Sequence, residues 1–328
     1  VARAAKRLPA GVRFALTGTP IENRLSELWS IFDFLMPGLL GTRDSFAKRF
    51  ESPVEHAEGD SAARLQALVS PFVLRRVKED VVADLPEKIE DTVMAQLTGE
   101  QRKLYLANQD RIAQQVQHRE AGEFKKDKLK VLAELTKLRQ ICCDPHLHYA
   151  DYKAGSAKLD TCMELVHGAL DGGHRILLFS QFTGMLDIIG KRLAKEDIAF
   201  LKLTGASSKE GRAKMVAQFQ AGEVPVFLIS LKAGGVGLNL TAADVVIHYD
   251  PWWNVAAQDQ ATDRAHRIGQ QHTVTVYKLI AKDTIEERIM QMQESKRDLV
   301  NSVLGGDGIS SALFTREDVL ALLGGDGR

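Results

Sequence analysis

The sequence predicts an α/β fold in which a mostly helical region precedes a doubly wound parallel sheet. Two observations support this prediction. From about Lys158 onward, short apolar runs rich in β-branched residues alternate with helical patterns, which is typical of a parallel sheet covered on both faces. Residues 1–150 show mainly helical periodicity. A length of 328 residues, of which 45% are hydrophobic, is enough for two cores.

The first half contains one predicted strand, at Val12–Leu16, and several predicted helices. The helical patterns run over Arg24–Met36, Thr42–Phe50, Ala62–Pro71, Glu100–Gln117 and Asp127–Ile141. Thr98 and Gln101 have the spacing of a capping box. Lys88–Leu97 alternates apolar and polar residues, which predicts a strand that links two bodies.

The second half alternates strands with helices. The predicted strands are Arg175–Phe179, Ala199–Leu203, Pro225–Ser230, Asp244–Tyr249 and Thr273–Ile280. The predicted helices are Gly184–Ala194, Lys209–Gln220, Val255–Arg264 and Thr284 to about Val303. Ser207 with Glu210, and Asp283 with Glu286, predict caps at two helix starts. Glycines then set apart a flexible tail, residues 305–328, which ends in an amphipathic turn at Thr315–Leu323.

Composition narrows the possible function classes. The net charge is zero, so the molecule as a whole has no field that attracts nucleic acid, and any such surface must be local. The sequence shows no run of 18 apolar residues and no secretion leader, so we expect no membrane partner. Three cysteines are too few for a disulfide framework. We therefore expect a soluble, intracellular protein.

Two predicted corners are rich in glycine and hydroxyl groups. LTGTPIEN, residues 16–23, follows a strand and opens a helix, so free amide groups there suit an anion. SLKAGGVGLNL, residues 230–240, follows another strand, and its glycines allow the backbone to approach a phosphate beside Lys232. Either segment alone is also consistent with an ordinary turn. Ligands of open α/β sheets bind at the carboxyl ends of strands, which favours the functional interpretation.

The segment DQATDRAHRIGQ, residues 259–270, is the most informative in the sequence. On a continuous helix, Arg264 and Arg267 would share one face and could converge on an anion such as a triphosphate. Alone, such a pair is more typical of a solvated helix face. The preceding DPWWN, residues 250–254, could turn one tryptophan toward a sugar or base, although both could equally pack in a core.

These segments, in this order, resemble the Swi/Snf-type chromatin-remodelling ATPases, a branch of the superfamily-two helicase-like translocases. The resemblance covers nearly the whole chain. It rests on LTGTPIENRLSELWSIFDFLMPGLLG, FVLRRVKEDVVADLPEK, LRQICCDPHL, FSQFTGMLDII, SLKAGGVGLNLTAADVVIHYDPWWN and DQATDRAHRIGQ. It implies that residues 151–304 form a RecA-like second helicase lobe, preceded by the end of the first lobe with its helical protrusion in residues 1–87 and a family-specific helical protrusion in residues 88–150. The short segment between Cys143 and Lys158 is similar to that of compact prokaryotic members. The resemblance implies a cytoplasmic, nucleoid-associated protein in a prokaryote, or a nuclear one in a eukaryote.

The resemblance also implies roles for individual residues. Arg264 and Arg267 would be arginine fingers that reach ATP held by the first lobe. The residues that bind nucleotide or couple it to DNA would be Gly235, Gly237, Asn239 and Gln260. The residues that line a track for double-stranded DNA would be Ser180, Gln181, Thr204, Gly205, Ser230, Lys232 and Trp253. DNA binding by the first lobe would be coupled to the state of the bound ATP by Thr17, Gly18 and Thr19.

The implied cofactors are ATP and Mg²⁺ in the complete two-lobe enzyme. The implied partners are double-stranded DNA, the first lobe, and a DNA-bound protein or transcription complex. The sequence has no G-x-x-x-x-G-K-[ST] loop and no Asp-Glu box after an apolar strand. The interpretation is that the chain begins after these motifs, so we expect that on its own it neither binds these cofactors nor hydrolyses ATP.

Other interpretations remain open at this point. The chain could be a catalytically silent nucleic-acid-binding or regulatory module of the same fold. An unrelated doubly wound enzyme, such as a nucleotide-sugar transferase, would require the ordered motifs to arise by chance. Cys142, Cys143, His146 and His148 lack the spacing of a tetrahedral zinc site, so structural roles and no metal are predicted. Val255 departs from the proline usual in the family at that position, and Asp144 from the histidine of many members.

Overall fold

The computed structural model describes residues 2–17, 25–51, 61–74, 85–117, 121–234, 238–253, 255–291 and 316–324. The chain divides into two compact units. The first comprises residues 1–81, 253–256 and 292–313, and the second comprises residues 82–252, 257–291 and 314–328. No helix in the described ranges combines the length and apolar character that crossing a bilayer requires.

The second unit is built on a parallel sheet of six strands. They are β1 (Lys88–Gln96), β2 (Ile176–Ser180), β3 (Phe200–Leu203), β4 (Val226–Ser230), β5 (Val245–His248) and β6 (Val274–Lys282). The strand order is β1-β6-β5-β2-β4-β3, and every neighbouring pair is parallel. From β2 the chain builds β3 and β4 on one side and then β5 and β6 on the other. The topological switch point of the sheet therefore lies between β2 and β5.

Helices cover both faces of this sheet. From residue 99 onward they span Gly99–Gln117, Ala121–Cys143, Ala157–Asp171, Thr183–Lys195, Lys209–Gln220, Leu231–Gly234, Val255–Thr262, 285–291 and Arg316–Leu323. Alternate residues of β2 belong to two different apolar cores. Ile176 and Leu178 share one with helices Ala157–Asp171 and Thr183–Lys195. Leu177 shares the other with Phe219. This two-sided burial confirms the doubly wound architecture.

The helix Ala157–Asp171 is absent from the sequence prediction, although its start carries a clear local signal. Ser156 adopts an extended backbone, and its hydroxyl accepts the Leu159 backbone N–H as an N-cap. The same hydroxyl donates to the Cys143 carbonyl, 2.8 Å away. The cap therefore also joins this helix to the end of the preceding one.

The first unit is helical in its described part. Its elements are Ala2–Ala5, Leu25–Leu35, Arg43–Phe46, a π-helical turn at Ala47–Glu51, Ser61–Val69 and a 3₁₀ turn at Ser70–Phe72. They enclose a separate apolar core of Leu28, Phe32, Leu40, Phe46, Phe50, Leu65 and Val69. The predicted helices of this region are confirmed, with ends that differ by a few residues.

The predicted strand at Val12–Leu16 is wrong. Residues 13–17 have no regular secondary structure, and the side chains of Val12, Phe14 and Leu16 are 71%, 83% and 100% exposed. A strand is stabilised by backbone hydrogen bonds to a neighbour. Within the described residues no strand lies beside this segment. Its alternating apolar pattern therefore has no sheet to join.

The predicted strand at Lys88–Leu97 is confirmed, but it does not link two bodies. As β1 it forms one edge of the sheet and pairs with β6 along its whole length. Glu90 secures this edge by ion pairs with Lys88 and Lys278, at 2.7 and 2.5 Å. Burial acts to raise the pKa of the Glu90 carboxyl, but hydrogen bonds from Lys278 and Lys88 outweigh it and lower the pKa to about 2.

The predicted cap at Ser207 is displaced by one residue. The hydroxyl of Ser208 accepts the Gly211 N–H and caps helix Lys209–Gln220. The Ser207 hydroxyl instead accepts the Thr204 N–H within the turn after β3. Two adjacent serines offer the same chemistry, so the spacing to Glu210 could not decide between them.

The predicted capping boxes at Asp283 and Thr98 are also wrong. Thr284 accepts the Glu286 N–H at the start of helix 285–291, while Glu286 is buried and bonds to Lys158 and to the Ala281 N–H. Gln101 is likewise buried and donates to the Ile141 carbonyl, 3.0 Å away. The side chains of Glu286 and Gln101 instead form hydrogen bonds with groups on other elements.

The tail expected to be flexible contains a docked helix. Val319, Leu322 and Leu323 of helix Arg316–Leu323 are buried. Its last carbonyls are capped by other elements, because Gln109 donates to the Leu323 oxygen at 2.6 Å and Arg288 donates to the Leu322 oxygen at 2.9 Å. An amphipathic turn that seemed isolated in sequence is thus fixed by tertiary partners.

Candidate functional site

The carboxyl ends of three adjacent strands bring together residues predicted to contact DNA. Ser230 ends β4 and Ser180 ends β2, while Thr204 and Gly205 follow β3. These strands are neighbours in the order β2-β4-β3. Lys232 lies in the short helix after β4, and its side chain is outside the described residues. The structure therefore places these predicted residues along one edge of the sheet.

Ser180 and Gln181 take part in a buried hydrogen-bond network at the switch point between β2 and β5. Asp250, which follows β5, is fully buried. The Ser180 hydroxyl donates to its Oδ1 atom, and the Gln181 side-chain amide donates to its Oδ2 atom. The backbone N–H of Gln181 also points at this carboxyl group, at 3.3 Å. The Ser180 hydroxyl is thus buried and has its partner inside the protein.

Arg139 completes this network from helix Ala121–Cys143. Its guanidinium donates to Gln181 Oε1 at 3.1 Å and to the Pro251 carbonyl, and it lies 5.7 Å above the Phe182 ring. Arg139 is almost fully buried. Sequence reasoning missed this residue, although an arginine between the apolar Leu138 and Ile141 was an available signal. The network consequently locks the start of the DPWWN segment to β2.

The turn after β3 is the exposed part of the same edge. Thr204 Oγ1 accepts the Ala206 N–H at 3.3 Å, and Arg212 donates to the Ser207 carbonyl at 3.1 Å. Gly205 is exposed, and an added Cβ would meet no atom within 4 Å. Packing therefore does not require glycine there. Arg212, which the sequence prediction missed, stabilises this turn and adds a positive charge to it.

Arg264 and Arg267 lie beyond the end of a helix. Helix Val255–Thr262, which contains Gln260, ends two residues before Arg264. Tighter turns follow, because the N–H of Arg264 bonds to the Ala261 carbonyl at 3.2 Å. The prediction that the two arginines share one face of a continuous helix is therefore wrong. They lie on what we call the arginine turn, residues 263–270.

The arginine turn is held at both ends. The carbonyl of Arg264 accepts the Leu240 N–H at 2.9 Å, which joins the turn to the residue after Asn239. At the other end, Gln270 is buried and its side-chain amide donates to the carbonyls of Ala243 and Ala265, at 2.7 and 3.2 Å. Sequence reasoning assigned no role to Gln270, although it ends the segment that contains both arginines.

The two guanidiniums differ in environment. Arg267 is exposed, whereas Arg264 is half-buried. Burial lowers the pKa of Arg264 from its usual value, and the charge of Arg267 lowers it further, while Asp263 raises it. The group stays protonated near neutral pH. Its Nε atom is buried and, within the described part of the chain, has no hydrogen-bond partner. A buried donor without an acceptor is unusual in a folded protein.

His248 supports the helix that precedes the arginine turn. It ends β5, and its Nε2 atom lies 2.8 Å from the hydroxyl of Thr262. Its ring stacks on Phe179 with centroids 5.5 Å apart. Burial lowers the pKa of His248 to about 3, and the Lys278 ammonium adds to this effect. The imidazole is therefore neutral near pH 7 and acts as an uncharged support between sheet and helix.

The remaining predicted site residues are less defined. Asn239 and Thr17 are exposed, and Gln260 and Trp253 are half-buried. Gly18, Thr19, Gly235 and Gly237 lie outside the described residues.

The cysteine and histidine cluster forms separate local contacts. Cys142 and Cys143 are buried, and Cys143 lies 3.8 Å from Glu286. His146 bonds to Asp144 at 2.7 Å. His148 contacts Gln140 instead.

Comparison with known proteins places these features in a family. A model described as the SNF2-related domain matches residues 1–147, and one described as the helicase conserved C-terminal domain matches residues 157–269. The SWI2/SNF2 ATPase C-terminal domain of Sulfolobus solfataricus is 34% identical with a TM-score of 0.56, and the match covers 67% of this chain and 91% of that domain. The chain belongs to the SWI2/SNF2 ATPase family. The predicted RecA-like fold is thereby confirmed.

Two longer relatives match almost all of the chain. The Sulfolobus solfataricus SWI2/SNF2 ATPase core in complex with dsDNA is 38% identical with a TM-score of 0.58, covering 93% of this chain and 65% of that chain. An uncharacterised ATP-dependent helicase of Mycoplasma pneumoniae is 40% identical over 98% of this chain and 31% of its own length. The chain spans about a third of the length of the curated relatives it matches.

Proposed function

We propose that this chain is part of the motor of an ATP-dependent double-stranded DNA translocase. Arg264 and Arg267 complete an ATP site whose phosphate-binding loop lies on a first helicase lobe. The observation that carries this proposal is the half-buried Arg264 guanidinium, which lies on a turn that hydrogen bonds hold at both ends. The guanidinium would donate hydrogen bonds to a γ-phosphoryl group, and its positive charge would stabilise the transition state.

The proposal assigns DNA to the edge formed by the carboxyl ends of β2, β4 and β3. The turn at the half-buried Thr204 and the exposed Gly205 presents a hydroxyl group and the Gly205 backbone, which suit phosphate contacts. This edge is supported from inside the protein by Ser180, Ser230 and Gln181. Their side-chain polar groups are buried or hydrogen-bonded to other protein atoms. The dsDNA complex of the related Sulfolobus core supports the assignment. Since the net charge is zero, attraction to DNA depends on local charges such as Arg212.

The proposal places Mg²⁺ with the first lobe. Within the described residues, no three His, Cys, Asp or Glu side chains form a group that could hold a metal ion. The arginines suit the triphosphate, because paired guanidiniums bind phosphoryl oxygens strongly. In this division the first lobe supplies metal and phosphate contacts, and this chain supplies charge at the γ-phosphate.

Reconstitution with a first lobe tests the proposal. The purified chain is mixed with a separately produced lobe that carries the phosphate-binding loop of a family member, and ATP hydrolysis is measured with and without duplex DNA. We expect DNA-stimulated hydrolysis in the mixture. Replacing Arg264 and Arg267 by alanine should lower kcat by on the order of 10³-fold or more.

Arg102→Ala is the matched control, since Arg102 is an exposed arginine on helix Gly99–Gln117. It should leave kcat unchanged. DNA binding that is indifferent to nucleotide, with no ATP hydrolysis in the mixture, would instead identify a catalytically silent nucleic-acid-binding module.

A further inference from the structure

Gln270 connects the arginine turn to two other segments through one side chain. Its amide nitrogen lies 2.7 Å from the Ala243 oxygen and 3.2 Å from the oxygens of both Thr241 and Ala265. Its amide oxygen accepts the N–H groups of Gln271 and His272, at 2.8 and 2.9 Å. Every polar atom of the side chain is thus used, and every partner is a backbone group. Such a buried hub fixes backbone positions because any displacement leaves polar groups unsatisfied.

The partners of Gln270 lie on both sides of the arginines. Ala265 follows Arg264 directly, whereas Gln271 and His272 lead into β6. Thr241 and Ala243 belong to the segment that also holds the Arg264 carbonyl through Leu240. The Arg264 carbonyl is therefore bonded directly to this segment, and the adjacent Ala265 carbonyl is linked to it through Gln270. Gly269, with φ of +101°, provides the bend that brings Gln270 inward, a conformation that favours glycine.

We infer that Gln270 is the positioning residue of the arginine pair. It touches no substrate; its amide sets where Arg264 and Arg267 stand before ATP arrives. This inference rests on the proposed function of the two arginines. A displacement of about 1 Å at a catalytic group can lower the rate by roughly 10²-fold, so correct placement of the turn is needed for catalysis.

The test replaces Gln270 and a matched glutamine. Gln270→Glu keeps an oxygen that accepts hydrogen bonds from the N–H groups of Gln271 and His272. It removes the amide N–H groups that face three backbone carbonyls. Gln270→Met removes both sets of bonds at similar volume. Gln220→Glu is the control, because Gln220 also bonds to the 241–242 segment, at 3.3 Å to Thr241 and 2.9 Å to the Ala242 N–H, but not to the arginine turn.

Kinetics are measured on the chain reconstituted with the first lobe. We expect both Gln270 variants to lower kcat by roughly 10²-fold while KM for ATP and affinity for duplex DNA change less than about threefold. Gln220→Glu should change kcat less than about twofold. Thermal unfolding establishes that each variant is folded at the assay temperature. If the buried charge of Gln270→Glu prevents folding, Gln270→Met alone provides the kinetic test.

A double-variant cycle distinguishes positioning from general destabilisation. If Gln270 acts through the two arginines, adding Gln270→Met to a chain that already carries Arg264→Ala and Arg267→Ala should cause little further loss of kcat. Full additivity of the two losses, or unchanged kcat in folded Gln270 variants, would overturn the inference. Failure of the proposed function gives a different result, in which the mixture hydrolyses no ATP or Arg264→Ala itself leaves kcat unchanged. In that case the Arg264 Nε–H resonance still tests positioning, since it should shift in Gln270→Met and not in Gln220→Glu.

Discussion

Asp250 shows how one buried side chain can organise the candidate site. Its carboxyl group is fully removed from water and accepts hydrogen bonds from Ser180 and Gln181. Burial of a carboxyl group is costly unless donors surround it. Here the donors come from the end of the neighbouring strand, so the desolvation cost is offset only when β2 and β5 are in register. Asp250 thus fixes the position at which the two tryptophans leave the sheet.

Asp250→Ala should lower the free energy of unfolding by about 3 to 5 kcal/mol, because it leaves the donors of Ser180 and Gln181 buried without an acceptor. Denaturant unfolding measures this change. Asp187→Ala is the control: Asp187 is exposed and bonds to Lys202 at the surface, so the loss should stay within about 0.5 kcal/mol. Equal losses in the two variants would show that the Asp250 network does not stabilise the fold.

At the scale of elements, β1 is held to the sheet partly by charge. Glu90 lies between Lys88 on its own strand and Lys278 on β6. In the folded chain its pKa is about 2, against an ordinary value of 4.5. A carboxyl whose pKa is lowered by folding stabilises the protein above the unfolded pKa. That contribution is lost as the pH falls from about 4.5 toward 2.

The difference in unfolding free energy between the natural chain and Glu90→Gln should therefore be largest near pH 6 and shrink below about pH 4.5. Denaturant unfolding of both proteins at pH 6, 4.5 and 3.5 measures it. Other carboxyl groups titrate in both proteins alike and cancel in the difference. A difference that stays constant over this range would mean that Glu90 does not contribute through its charge.

The elements also show what sequence can predict. The runs that became β2, β4 and β5 are buried at every position and apolar at all but the last, and helix Lys209–Gln220 has the predicted bounds. Local pattern suffices for such segments because both of their faces are buried. It failed at Val12–Leu16, since an alternating pattern does not tell whether a partner strand is present.

The candidate site was predictable in its location and less so in its contacts. The strand ends and the two arginines were recognised from their segments. The hydroxyl of Ser180, a residue predicted to touch DNA, bonds to Asp250, which lies 70 residues away in sequence. Gln270 bonds to Ala243 across 27 residues. Such long-range partners have no periodic signature, so the buried polar hubs emerge only from the fold.

At the scale of the whole molecule, the two compact units have separate apolar cores. The first core includes Phe46, whose ring packs against Phe50 with centroids 5.5 Å apart. The second unit contains Phe227 in a similar pair with Phe219, at 5.4 Å. All four rings are buried. Units with separate apolar cores unfold as separate cooperative units.

Calorimetry of the chain should accordingly show two transitions. Phe46→Ala and Phe227→Ala each remove a fully buried ring from a phenylalanine pair, at a cost of about 3 to 5 kcal/mol. Phe46→Ala should lower the midpoint of one transition by several degrees and leave the other in place, and Phe227→Ala should do the reverse. The two variants are matched in chemistry and burial. The transition whose midpoint falls therefore identifies the unit to which the removed ring belongs. A single transition that both variants lower equally would show that the two cores unfold as one cooperative body.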